Sequence, residues 1–83
     1  MKILYFAWLR QRTGIGEEDI AVPAAVNDVA SLIDWLKGRG PNFAEALQDT
    51  STIRIAVNQE FATLDTALTG DEEVALFPPM TGG

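Results

Sequence analysis

The spacing of apolar and polar positions changes several times along the chain, and each change marks an element. Met1 to Leu9 holds one charge and a run rich in Ile, Tyr, Phe and Trp, which predicts a strand buried on both faces. Arg10 to Thr13 has room for one helical turn before Gly14 and Gly16 break it. Glu17 to Val22 contains the alternation Asp19-Ile20-Ala21-Val22, a second strand stopped by Pro23. The two strands read as a hairpin whose connection is longer than a tight turn.

The clearest helix follows. Asn27 is the expected N-cap, and Asp28 adds a negative charge to the first turn. Val29, Leu32, Ile33 and Leu36 fall at i, i+3, i+4 and i+7, one apolar stripe at helical period, with Trp35 beside it. Lys37 and Arg39 suit the end of that helix, and Gly38 or Gly40 can take a left-handed cap. Pro41 opens a shorter helical piece, Asn42 to Leu47, which packs through Phe43 and Leu47.

Ile53-Arg54-Ile55-Ala56-Val57 alternates as a strand, Asn58-Gln59-Glu60 is a turn, and Phe61 to Leu64 is a short apolar segment. Thr69-Gly70-Asp71 signals another turn. Glu73-Val74-Ala75-Leu76-Phe77 is the last strand, ended by Pro78-Pro79 because proline cannot donate to a ladder. Residues 1–79 are thus one domain, and residues 80–83 a flexible tail ending in Gly82-Gly83. One main helix crossing one face of a mixed sheet of about five strands gives a two-layer α+β sandwich. The most apolar strands, first and last, sit side by side and parallel at its centre. This is the arrangement of the β-grasp, or ubiquitin-like, fold.

Composition narrows the chemistry. At 83 residues the chain buries only about 60% of its unfolded surface, which leaves little room for a deep catalytic cavity. It contains no Cys and no His, which excludes disulfides, thiolate nucleophiles and the commonest general base and metal ligand. Neither Ser31 nor Ser51 sits in a nucleophile elbow. Gly14-x-Gly16 lacks the phosphate-loop context and belongs to a turn. No carboxylate loop of the calcium-binding kind is present, and no metal site is expected. The net charge of −6 makes nucleic acid a poor partner and a basic protein surface a better one. The apolar start is too short for a membrane span and lacks a cleavage site, so a cytoplasmic location is expected.

Two terminal glycines arise by chance in roughly one chain in 200. Their position after a strand and a stiff Pro78-Pro79 spacer gives them a use. A terminal carboxylate that must enter a narrow channel needs residues without Cβ, and the prolines reduce the entropy lost on insertion. Phe77-Pro78-Pro79-Met80-Thr81-Gly82-Gly83, preceded by Gly70 to Ala75, resembles the carboxyl end of the molybdopterin synthase small-subunit family. Ala56-Val57-Asn58-Gln59 resembles its third-strand motif, and Phe6-Ala7 with Arg10 and Gly14 its amino-terminal motif.

The resemblance implies a sulfur carrier. An activating enzyme of the ubiquitin-activating kind, an adenylyltransferase, would use ATP to adenylate the Gly83 carboxylate. A sulfur donor would convert it to a thiocarboxylate, and the tail would deliver sulfur to cyclic pyranopterin monophosphate, forming the molybdopterin dithiolene. The family's synthase is a heterotetramer whose large subunit holds the catalytic groups, so this chain would bind no cofactor and contribute no catalytic side chain. Gly83 is the reacting residue, Thr81 and Gly82 lead to it, and Phe6, Arg10, Phe61, Phe77, Pro78 and Pro79 match positions facing the partner. Asp71-Glu72-Glu73 reads first as a solvated turn and second as a patch steering a basic partner. A carrier for thiamine synthesis, a ubiquitin-like modifier joined through Gly83, and an inert interaction module are the alternatives.

Overall fold

A computed structural model describes residues 1–79. Five strands, β1 (Lys2–Tyr5), β2 (Glu17–Asp19), β3 (Arg54–Val57), β4 (Glu60–Ala62) and β5 (Glu73–Phe77), form one sheet in the order β2-β1-β5-β3-β4. β1 and β5 run parallel at the centre, and every other pairing is antiparallel. Three helices, α1 (Ala7–Thr13), α2 (Val29–Lys37) and α3 (Pro41–Ala46), pack with the sheet, and a 3₁₀ turn covers Thr50–Thr52. The expected α+β, β-grasp order is present. The tail expected over residues 80–83, with Thr81, Gly82 and Gly83, lies outside the described residues.

Alternation decides which strand residues enter the core. Ile3 and Tyr5 of β1, Ile55 of β3, and Val74 and Leu76 of β5 are buried. They meet Leu9 of α1, the stripe Val29, Leu32, Ile33 and Leu36 of α2, and Phe43, Ala46 and Leu47. Burying a side chain of this size contributes about 1.5–3 kcal/mol against exposure. α2 starts one residue later than expected. Asp28, not Asn27, is the N-cap, because Ser31 three residues on completes a reciprocal box with it: the Ser31 N–H donates to Asp28 Oδ1 at 2.8 Å, and the Asp28 N–H donates to Ser31 Oγ at 3.2 Å. Neither Gly38 nor Gly40 makes the expected left-handed cap: Gly38 is right-handed helical, while Gly40 at φ 154° precedes Pro41.

The first apolar run holds two elements instead of one. β1 ends at Tyr5, and it is buried on one face only, with Lys2 exposed and Leu4 half-buried. Ala7 then adopts φ 54°, which turns the chain out of the sheet and into α1, whose Leu9 and Thr13 are buried one turn apart. A left-handed conformation costs an L-residue roughly 1–2 kcal/mol. The apolar run hid this break because a half-buried strand and a core-facing helix both read as apolar. β2 stops at Asp19, short of Val22, although the Ile20 N–H still donates to the Met1 carbonyl at 2.9 Å. The predicted turn is shorter: Asn58 (φ 51°) and Gln59 (φ 69°) make it, and Glu60 already belongs to β4. Two consecutive positive φ values give the turn that matches hairpin twist. The Asn58 N–H donates to the Glu73 carbonyl at 2.8 Å, and its Oδ1 accepts from the Glu73 N–H at 3.0 Å, fixing the turn to the start of β5.

Candidate functional site: an apolar groove at the base of the tail

The face of the sheet away from the helices carries the other half of each alternation. Paired positions place Glu17, Leu4, Ala75, Ala56 and Phe61 in one row across all five strands. Beside that row Phe77 pairs with Arg54, and on its other side Lys2 lies between Asp19 and Glu73. The apolar band is therefore bounded by mixed charge at the end remote from the tail. At the tail end it meets aromatic rings.

Phe6, Ala7, Ala75, Phe77, Pro78 and Pro79 line an open groove of about 450 Å³. Each member has a local cause. Phe6 is extended (φ −117°, ψ 154°), and its N–H makes a 3.1 Å bond to the Leu76 carbonyl. Ala7 then takes the backbone away, leaving the Phe6 ring 47% exposed. Ala75 has no bulk to fill the centre. Pro78 and Pro79 end the ladder and line the groove with these residues. Phe61, at 83% the most exposed large apolar side chain among the described residues, reaches Phe77 with ring centroids 6.1 Å apart. The groove thus collects Phe6, Phe77, Pro78 and Pro79, with Phe61 continuing the same apolar surface.

Arg10 does not line the groove. It borders a neighbouring hollow of about 350 Å³ with Leu4, Tyr5, Phe6, Gly16 and Glu17. Its guanidinium lies so close over Gly16 that a Cβ there would come within 3.2 Å of Nε. Among the described residues neither Arg10 nor Arg54 forms an ion pair, whereas Lys2, Arg12 and Arg39 pair with Glu17, Glu45 and Glu18. Two arginines without carboxylate partners thus flank the Phe6 and Phe77 end of an acidic chain.

The acidic run divides by role. Glu72 accepts from the Thr69 N–H at 2.7 Å and the Gly70 N–H at 2.9 Å, which makes it a cap for the turn before β5. Burial raises its carboxyl, and the bonds from Thr69 and Gly70 outweigh that and hold it below the ordinary value. Asp71 stays exposed and Glu73 half-buried.

Sequence reasoning missed a second cluster, on the helix side. The Tyr5 hydroxyl donates to Glu18 Oε2 at 2.7 Å, and Arg39 Nη1 donates to the same oxygen at 2.6 Å. Arg39 also lies over the Phe43 ring at 4.8 Å and the Trp35 ring at 5.7 Å. Burial pushes the Tyr5 hydroxyl well above its ordinary range, reinforced by Glu18. Glu18 is raised by burial and lowered more by Arg39 and Tyr5, so it sits below its ordinary value. The signal was the phase of β2: Glu18 opposes buried Ile3 while Glu17 and Asp19 face outward. This cluster ties an edge strand to the loop after α2 and is turned away from the groove.

Among the described residues no group of three or more acidic side chains could hold a metal ion, and no helix is long and apolar enough to cross a membrane. The model of the ThiS family matches residues 3–83. The chain is 36% identical over 83 residues to the molybdopterin synthase sulfur carrier subunit of Escherichia coli, covering all of this chain and 99% of that protein. It is 32% identical over 88 residues to the human protein of the same description, covering all of this chain and 93% of that one. The crystal structure of small archaeal modifier protein 1 from Haloferax volcanii superposes with a TM-score of 0.78 at 27% identity, over 96% of this chain and 97% of that one. This chain therefore belongs to the ThiS family, on the ubiquitin-like β-grasp fold.

Proposed function

We propose that the chain is the sulfur-carrier subunit of a molybdopterin synthase. The observation that carries this is the full-length likeness to proteins described as that subunit, joined to a groove of aromatic and proline side chains where a Gly-Gly terminus begins. In this reading an oxygen of the Gly83 carboxylate attacks ATP on an adenylyltransferase, pyrophosphate leaves, and an acyl adenylate results. Sulfide-level sulfur from a donor displaces AMP and leaves the thiocarboxylate. The large synthase subunit takes Thr81, Gly82 and Gly83 into its active site while Phe6, Phe61, Phe77, Pro78 and Pro79 dock on its surface and Arg10 meets an acid at the rim. Sulfur passes to cyclic pyranopterin monophosphate. A dithiolene needs two sulfurs, which suits a heterotetramer with two carriers. The carrier supplies a reactant and no catalytic side chain, binds no cofactor, and works in the cytoplasm.

The likeness to a small archaeal modifier supports a second reading, in which activated Gly83 is joined to lysines of other proteins. Reconstitution separates the two. Thiocarboxylated chain mixed with the large subunit and cyclic pyranopterin monophosphate is expected to yield molybdopterin, read by its oxidised fluorescent derivative. No product from thiocarboxylated chain, with a carrier of known competence active in the same mixture, would overturn the synthase assignment.

A further inference from the structure

Ala7 stands at φ 54°, outside the range L-residues favour, although glycine would enter that conformation without strain. Core burial does not explain the methyl group, because Ala7 is exposed. Its surroundings do: Ala7 lines the groove together with Phe6, Ala75, Phe77 and the two prolines. The backbone on either side is tied. The Phe6 N–H bonds the Leu76 carbonyl at 3.1 Å, and the Leu9 N–H bonds the Phe6 carbonyl at 3.1 Å. Those bonds fix the two ends of the kink, and the Cβ of Ala7 narrows the conformations open between them. Strain held at an exposed position points to a contact made outside this chain.

We propose that Ala7 is a positioning residue, whose strained left-handed backbone and exposed methyl hold the Phe6 ring in place as one wall of the docking groove. The inference rests on the reading of this face as the docking surface for the large synthase subunit. It adds that the chain gives up stability of its own for a preset groove. A residue with only a structural role would lose stability and binding together when altered. Ala7 must show opposite signs.

The test is Ala7→Gly in the full chain. Melting temperature should rise, by roughly 4–8 °C for a domain of this size. Binding to the large subunit, by titration calorimetry, should weaken about fourfold or more, the share of one methyl group plus the freedom regained by Phe6. In the free protein, backbone order parameters at Phe6 and residue 7 should fall from the rigid range near about 0.85 toward about 0.6. An Ala7→Gly chain that binds as tightly as the parent, or that is no more stable than it, overturns the proposal. Failure of the parent chain itself to bind the large subunit would sink the docking reading alone. The melting temperature and order parameters of the two free chains would still decide whether Ala7 trades stability for a fixed Phe6.

Discussion

Glu18 sits on the inner side of an edge strand, where an unpaired charge would be costly, and Tyr5 and Arg39 offset that cost by sharing one of its oxygens. Inward charge on an edge also discourages pairing with another sheet. The carboxyl lies below the ordinary glutamate value of 4.5, so its stabilising effect is complete above that value and is lost as pH falls through the lower folded value. Tyr5 acts at the other extreme. Its raised hydroxyl leaves stability intact below the ordinary value of 10.0 and erodes it above, where only the unfolded chain ionises. Glu18→Gln should destabilise the fold by about 1–3 kcal/mol at pH 7, measured by urea unfolding. The gap between parent and variant should close as pH drops below 4.5. A gap of equal size at acid pH would show that packing, not charge, holds the cluster. None of this was legible beforehand, since Glu17, Glu18 and Asp19 look alike until the register assigns one of them inward.

The elements that sequence located best were those with a clean period and firm stops. β5 was read residue for residue, because Pro78 ends it and Glu73 to Phe77 alternates. The stripe of α2 was equally plain, and only its cap slipped by one residue, to the position with Ser31 three ahead. The β1–α1 junction was illegible because its break is a backbone angle at Ala7 and not a change of residue class. β4 was legible as a short outer strand after a polar turn, and the structure places it at the edge of the sheet. Its pairing with β3 puts Phe61 on the outer face opposite Ala56. An aromatic ring 83% exposed on an edge strand adds little to folding. Phe61→Ala should change stability by less than about 0.5 kcal/mol. It should weaken binding to the large synthase subunit by more than about 1 kcal/mol, as buried aromatic anchors do. Equal binding would remove Phe61 from the docking surface.

At the scale of the whole molecule, the central parallel pair β1 and β5 brings Phe6 and Phe77 together at the end from which residues 80–83 continue. The groove therefore sits where the described chain ends: the residue after β1 and the residues closing β5 share one end of the sheet. The charge pattern refines the expected partner. The chain carries a net −6, yet Arg10 and Arg54, without ion-pair partners among the described residues, flank the groove, so a docking surface should offer acidic groups there and basic ones further out. The β-grasp order was legible in the sequence, whereas the groove required the register. The Gly82-Gly83 terminus was legible too, and sulfur carriage turns on its chemistry. The direct measurement is the intact mass of the chain after incubation with an adenylyltransferase of the ubiquitin-activating kind, ATP and a sulfur donor. Exchange of one oxygen for one sulfur is expected, localised to Gly83 by fragmentation and absent when Gly83 is deleted. A terminus that stays a carboxylate, or that appears only as isopeptide adducts on other proteins, would rule out sulfur carriage.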